Sequence, residues 1–194
     1  KLVVSRTGYT GERVAFELFI HPERSTDLWN TLLNVGEPFG IKPVGLAARD
    51  SLRTEAGLPL HGHEMAGDLC LGVGAAGFAS SVKTYKPWFI GRSAYLAQEI
   101  DRSGEIARFR FNTKRVRMAH YGDPVVNQQG ESIGTVTSCA ADSEGYLLGL
   151  AYLKKDFIQE GTPIGIFQGA TAVDVAKMDK KTDPTPATVL SRYP

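Results

Sequence analysis

The hydrophobic pattern changes period along the chain. Residues 2–7 and 13–20 are short and rich in apolar and β-branched side chains, which predicts two strands; Gly8, Tyr9, Thr10 and Gly11 predict the turn between them. Pro22 ends the second strand. Leu28, Leu32 and Val35 then recur at the spacing of one helix face, with Trp29 and Leu33 alongside. Ser25 reads as the N-cap, Asp27 as a first-turn acid and Gly36 as the C-cap. A second helix is predicted from about Pro43 to Ala56, stopped by Gly57 and Pro59. A third, capped by Ser93, runs to about Ile100. After Gly104 the texture becomes that of short strands: 105–112, 132–138, 146–154, 164–168 and 171–177, most of them separated by turn sequences such as Tyr121-Gly122-Asp123-Pro124 and Ser143-Glu144-Gly145. Residues 177–185 read as a polar, Pro-containing loop. The mixture predicts an α+β fold, not a doubly wound sheet, with a small barrel or sandwich at the end. Asp101-Arg102-Ser103-Gly104 is the expected boundary, dividing the chain into 1–102 and 103–194.

Composition narrows the function classes. The chain has 194 residues, 42% hydrophobic and 22% charged, enough for one large or two small cores. A net charge of +1 gives no general attraction to nucleic acid or to an acidic membrane surface. No apolar run approaches the roughly 20 residues of a membrane span. Cys70 and Cys139 are far apart, which argues against a disulfide framework and for a reducing compartment. No signal peptide is visible, and Lys1-Leu2-Val3-Val4 is already strand-like, as expected of a chain cut inside a domain.

The candidate chemistry starts at Glu17. Strand alternation puts Phe16, Leu18 and Ile20 on one face and Ala15, Glu17 and Phe19 on the other. A carboxylate so flanked is at a wet edge or needs a partner. Leu46, Arg49, Arg53 and Ala56 share one stripe of the second helix, so an acid and arginines from separate elements are expected to meet in a pocket; a structural ion pair gives the same pattern. His61-Gly62-His63-Glu64, with Asp68 and Cys70 near, has donors for a metal site, but His120 is remote and no second ligand cluster exists, so no metal is expected and backbone capping is the better reading. Gly72, Gly74 and Gly77 match Gly-x-Gly-x-x-Gly without the preceding strand and following helix of a dinucleotide site; close packing is the expected role. Arg108, Arg110, Lys114, Arg115 and Arg117 form a local basic patch, read as a solvated face before an acidic-partner site.

Ser5-Arg6-Thr7-Gly8-Tyr9-Thr10-Gly11-Glu12, Phe16-Glu17 and the run from Gly45-Leu46-Ala47-Ala48-Arg49-Asp50 through Pro59-Leu60-His61-Gly62-His63-Glu64 resemble the glycine-cleavage T-protein (aminomethyltransferase) family. Phe89-Ile90-Gly91-Arg92 and Tyr121-Gly122-Asp123-Pro124 extend the likeness over most of the chain. The resemblance implies part of a folate-binding domain, an antiparallel sheet with helices, followed by a C-terminal β-barrel. It implies transfer of a one-carbon unit from an aminomethyl-lipoyl carrier protein to tetrahydrofolate with release of ammonia, in the cytoplasm or the mitochondrial matrix. It makes Glu17 and Arg49 the folate- or substrate-facing residues and places Tyr9 in the cavity wall. The family's catalytic aspartate lies upstream of these residues, so no catalytic residue is assigned. Arg13-Val14-Ala15 stands where the family usually has Asp-Gly, and Cys139 replaces a frequent glycine. Folate-dependent demethylases and the folate domains of dimethylglycine and sarcosine dehydrogenases share the fold and are the alternative activities; a non-catalytic folate-binding or interaction module is the other.

Overall fold

The computed structural model describes residues 1–170 and 183–192. The fold is α+β. Strands β1 (Val3–Ser5) and β2 (Glu17–Phe19) pair antiparallel, with Val3 opposite Phe19 and Ser5 opposite Glu17. Both are much shorter than the apolar pattern predicts. Phe16, Leu18 and Phe19 remain exposed, so no buried face extends the ladder. Helix α1 (Ser25–Gly36) follows a short 3₁₀ turn. Ser25 is its first residue, not its cap; the hydroxyl donates to the Pro22 carbonyl at 2.7 Å. Gly36 is right-handed and merely ends the helix, while the left-handed position falls on Gly40, φ +74°, after a further 3₁₀ turn.

Helix α2 (Leu46–Glu55) is shorter than predicted, and Gly57, at φ +75°, turns the chain away from it. Its expected apolar stripe is split lengthwise. Leu46 is 87% exposed at one end, whereas Arg53 and Thr54 are buried at the other, against β5 and β6. The Gly72–Gly77 segment does pack closely: a Cβ on Gly72 or Gly74 would strike Gln98 or Glu99 of α3 (Arg92–Asp101).

From Gly104 the chain closes a six-stranded antiparallel barrel: β3 (Gly104–Phe111), β4 (Pro124–Val126), β5 (Ser132–Ala141), β6 (Leu147–Lys154), β7 (Pro163–Ile166) and β8 (Thr185–Val189), in the order β3-β6-β5-β4-β7-β8. Closure leaves no free edge. The core is here, in Phe109, Phe111, Val125, Val136, Leu153, Ile166 and Val189, with the two phenylalanine rings edge-to-face at 5.6 Å. β4 and β8 are strands that the sequence pattern does not predict; the expected turn ends at Pro124 and the expected loop at Thr185, the first residue of each. The strand expected at 171–177 lies outside the described residues, as does most of the loop expected at 177–185. The basic patch is not one surface. Arg108 is buried, Arg110 lies 3.6 Å from Glu144 and 4.0 Å from Asp142, and Lys114 sits over the Tyr146 ring. Among the described residues no helix is long and apolar enough to cross a membrane.

Candidate functional site

The candidate site is assembled on α2 by a glycine. Gly11 has φ +96°, and a Cβ there would lie 2.3 Å from the Ala56 Cβ and 3.1 Å from the Leu52 carbonyl oxygen. Only a residue without a side chain lets the turn approach the helix this closely. The turn therefore rests on the last turn of α2 and carries Tyr9 with it. The Tyr9 hydroxyl donates to the Pro59 carbonyl, just beyond the helix. Burial raises the phenol pKa above its usual value; Arg192 opposes this, Glu64 adds to it, and Arg53 and Arg49 oppose it further. Tyr9 and Arg49 are thus brought within electrostatic reach of one another. Arg49 is half-buried and forms no ion pair among the described residues.

Glu17 is placed differently. It is exposed on β2, and its carboxylate accepts from the Thr7 hydroxyl, whose oxygen lies 3.0 Å from that of Ser5. No hydrogen bond or ion pair among the described residues joins Glu17 to Arg49 or Arg53. The structural pair that spacing suggested does exist, but with another acid. Arg53, 1% exposed, lies 3.2 Å from Glu64, which is fully buried. Arg53 also donates to Asp50 at 2.6 Å, to the Leu58 carbonyl at 3.2 Å and to the Ser138 hydroxyl of β5 at 2.9 Å. Ser138 in turn donates to Glu64 at 2.7 Å, and Glu64 accepts from the Leu60 N–H at 2.7 Å. Burial raises the Glu64 pKa, but the Leu60 N–H, the Ser138 hydroxyl and Arg53 outweigh it and hold the carboxyl below its usual range.

Glu64 therefore caps loop backbone, as the sequence suggests for this segment. His63 is also occupied: its Nε2 is 2.6 Å from the Thr137 carbonyl oxygen, and its ring meets Tyr121 edge-on. Among the described residues no group of three or more His, Cys, Asp or Glu is placed to hold a metal ion. Ser138 could not be found from sequence, because nothing local links it to a helix 85 residues earlier. Arg53 did carry a signal: an arginine on a half-apolar stripe needs a partner. A separate cleft of about 460 Å³ opens between the 61–73 loop and the start of α3, lined by His61, Met65, Phe89 and Tyr95 among others. It contains none of Tyr9, Glu17 and Arg49.

The GCVT N-terminal domain family model matches residues 1–83. An aminomethyltransferase from Alkaliphilus metalliredigens is 36% identical over 84% of this chain and 44% of its own length. One from Saccharopolyspora erythraea is 36% identical over 90% of this chain and 47% of its own. The crystal structure of glycine cleavage system aminomethyltransferase T from Bartonella henselae superposes with a TM-score of 0.78 at 27% identity, covering 98% of this chain and 48% of that one. The chain is similar to the glycine-cleavage T-protein family, by family model over its first 83 residues and by sequence and structure over most of its length. It spans about half the length of the T-protein relatives it matches. Within the family match fall Tyr9, Glu17, Arg49, Arg53 and Glu64; Ser138, which completes the buried cluster, comes from the barrel outside it.

Proposed function

We propose that these 194 residues are part of a tetrahydrofolate-dependent aminomethyltransferase, which moves a one-carbon unit from an aminomethyl-lipoyl carrier protein to tetrahydrofolate and releases ammonia. The observation that carries the reading is the 36% identity to aminomethyltransferases over 84–90% of the chain. In this reading residues 1–102 contribute to the folate-binding domain and 103–194 form the barrel domain. The setting is a reducing one, cytoplasm or mitochondrial matrix; both cysteines are free, and burial pushes the Cys139 thiol up to about 11.

The donor set suits a folate. Glu17 offers an exposed carboxylate whose remaining lone pairs can accept the paired N–H groups of a pterin ring, a charge-assisted arrangement. Arg49 offers a half-buried guanidinium without an ion-pair partner among the described residues, free to donate to the same heterocycle. The Tyr9 hydroxyl is committed to Pro59, so its ring, not its oxygen, is what it can present. Tetrahydrofolate supplies the nitrogens that take up the one-carbon unit. The residues of this chain bind and orient it; none is assigned a proton-transfer step, in line with catalysis by positioning.

Isothermal calorimetry with tetrahydrofolate tests the reading on the T-protein-length polypeptide containing these residues. Glu17→Gln and Arg49→Met are each expected to weaken binding about 10- to 100-fold, the scale of losing a hydrogen bond to a charged group, ~1.5–3 kcal/mol. Unchanged affinity in both variants would remove the two residues from the site.

A further inference from the structure

The buried cluster of Arg53, Glu64 and Ser138 leads to a residue of the candidate site. The Ser138 hydroxyl donates to Oε1 of Glu64 at 2.7 Å, and Oε2 of the same carboxylate accepts from the Leu60 N–H at 2.7 Å. That N–H and the Pro59 carbonyl belong to one peptide unit, which is trans and planar. The carbonyl end of the unit accepts from the Tyr9 hydroxyl. An unbroken run of hydrogen bonds therefore passes from β5 of the barrel, through Glu64 and a single peptide plane, to the phenol of Tyr9.

Each bond in the run favours the next. A carboxylate on the N–H side of a peptide polarises it and makes its carbonyl a better acceptor, and the effect is large where water is excluded. Both Glu64 and Ser138 are buried, so the run starts in a dry interior. Ser138 is itself held, because its oxygen accepts from Arg53 at 2.9 Å; Arg53 stands one helical turn beyond Arg49 on the same face of α2. With the Pro59–Leu60 peptide gripped at both ends, the angle of the Tyr9 ring depends on a hydroxyl supplied by the barrel. Pinning α2 to the barrel does not require that link, since Arg108 of β3 already holds the Glu55 carbonyl at 2.7 Å.

We propose that Ser138 is a positioning residue for the candidate folate site, acting through Glu64 and the Pro59–Leu60 peptide to set the orientation of Tyr9. Ser138 touches no ligand; it decides where the ring that meets the ligand stands. The proposal rests on the folate reading for what Tyr9 meets, and on the hydrogen-bond geometry alone for how Tyr9 is held.

The T-protein-length polypeptide containing these residues, labelled with ¹³Cζ-tyrosine, is compared as wild type, Ser138→Ala and Thr137→Val. Thr137 is the control: its hydroxyl is also buried on β5, but it donates to the Leu150 carbonyl, outside the run. Both substitutions remove a buried hydrogen bond and lower stability. Only Ser138→Ala is expected to move the Tyr9 resonance of the ligand-free protein. Calorimetry with tetrahydrofolate is expected to show binding weakened about 5-fold by Ser138→Ala and about 5-fold by Tyr9→Phe, the scale of one hydrogen bond. Because both changes break one run, the double variant is expected to bind no more weakly than Tyr9→Phe alone. Tyr9→Phe also reads the run from its far end, by moving the ¹³C resonance of the Glu64 carboxyl, so the test does not depend on Ser138→Ala folding. A Tyr9 resonance unmoved by Ser138→Ala, a Glu64 resonance unmoved by Tyr9→Phe, or losses that multiply to about 25-fold would overturn the proposal. Failure of tetrahydrofolate to bind the wild type would overturn the folate reading instead, and the two resonances would still decide how Tyr9 is held.

Discussion

Arg53 is inside the molecule with almost no exposure, and a buried guanidinium must satisfy its donors. It does so with an acid from its own helix, a loop carbonyl, the Glu64 carboxylate and a barrel hydroxyl. The cluster is a bolt between α2, the 57–64 loop and β5. Removing one charge of a buried pair leaves the other uncompensated, a loss of about 3 kcal/mol for Glu64→Gln. The pH dependence follows from the sign of the shift. Glu64 binds its proton less readily folded than unfolded, so its contribution is complete above the ordinary carboxylate range and is lost as pH falls through the lower folded value. Urea unfolding should therefore show wild type losing more stability than Glu64→Gln between about pH 5 and pH 3. Parallel losses in the two proteins would mean that Glu64 is not held ionised by this cluster.

At the scale of elements, the end of α2 is fixed by cations from elsewhere in the chain. The last carbonyls of a helix lack partners inside it and favour positive charge. Arg108 of β3 donates to the Glu55 carbonyl at 2.7 Å and to Ser191 at 3.0 Å, while Arg192 donates to the Gly57 carbonyl and, at 3.0 Å, to that of Ala76. Burial and the nearby Arg192 charge disfavour the Arg108 cation, with Glu55 opposing them, and the two carbonyls still hold it in place. Arg108→Met keeps most of the stem but removes both bonds, so chemical denaturation should show a loss of about 2–3 kcal/mol. A loss below about 0.5 kcal/mol, the range of an ordinary surface substitution, would contradict this role. Arg108 also shows where sequence reading stops. Its place among five basic residues suggests surface, and only the arrival of α2 and residues 191–192 makes it interior. Helices α1 and α2 were legible because their apolar residues keep a period of 3.6, and β3, β5 and β6 because their runs are long. β4 and β8 were not: Pro124, Pro184 and Pro186 signal turns, and these strands are defined by partners far along the chain, such as Val189 opposite Phe109. Glu17 and Tyr9 were placed on a strand and its turn by pattern, but that the turn rests on α2 through Gly11 is a tertiary fact with no local signature.

At the scale of the molecule, a closed barrel supports α2 and the turn that rests on it. The barrel has its own core and no free edge, and α2 is anchored to it through Arg53, Ser138 and Arg108. The turn bearing Tyr9 rests on α2, so the barrel indirectly sets where Tyr9 and Arg49 stand. Glu17 is attached through the two-stranded β1–β2 ladder, and its carboxylate is held by the Thr7 hydroxyl. The central claim is that these three residues face one folate. The direct measurement is a titration of the ¹⁵N-labelled T-protein-length polypeptide containing these residues with tetrahydrofolate, followed by amide chemical shift. The account predicts saturable shifts concentrated at Tyr9, Glu17, Arg49 and their neighbours, with the barrel amides still; shifts gathered instead around His61 and Tyr95 in the cleft beside α3, or no shifts at all, would contradict it.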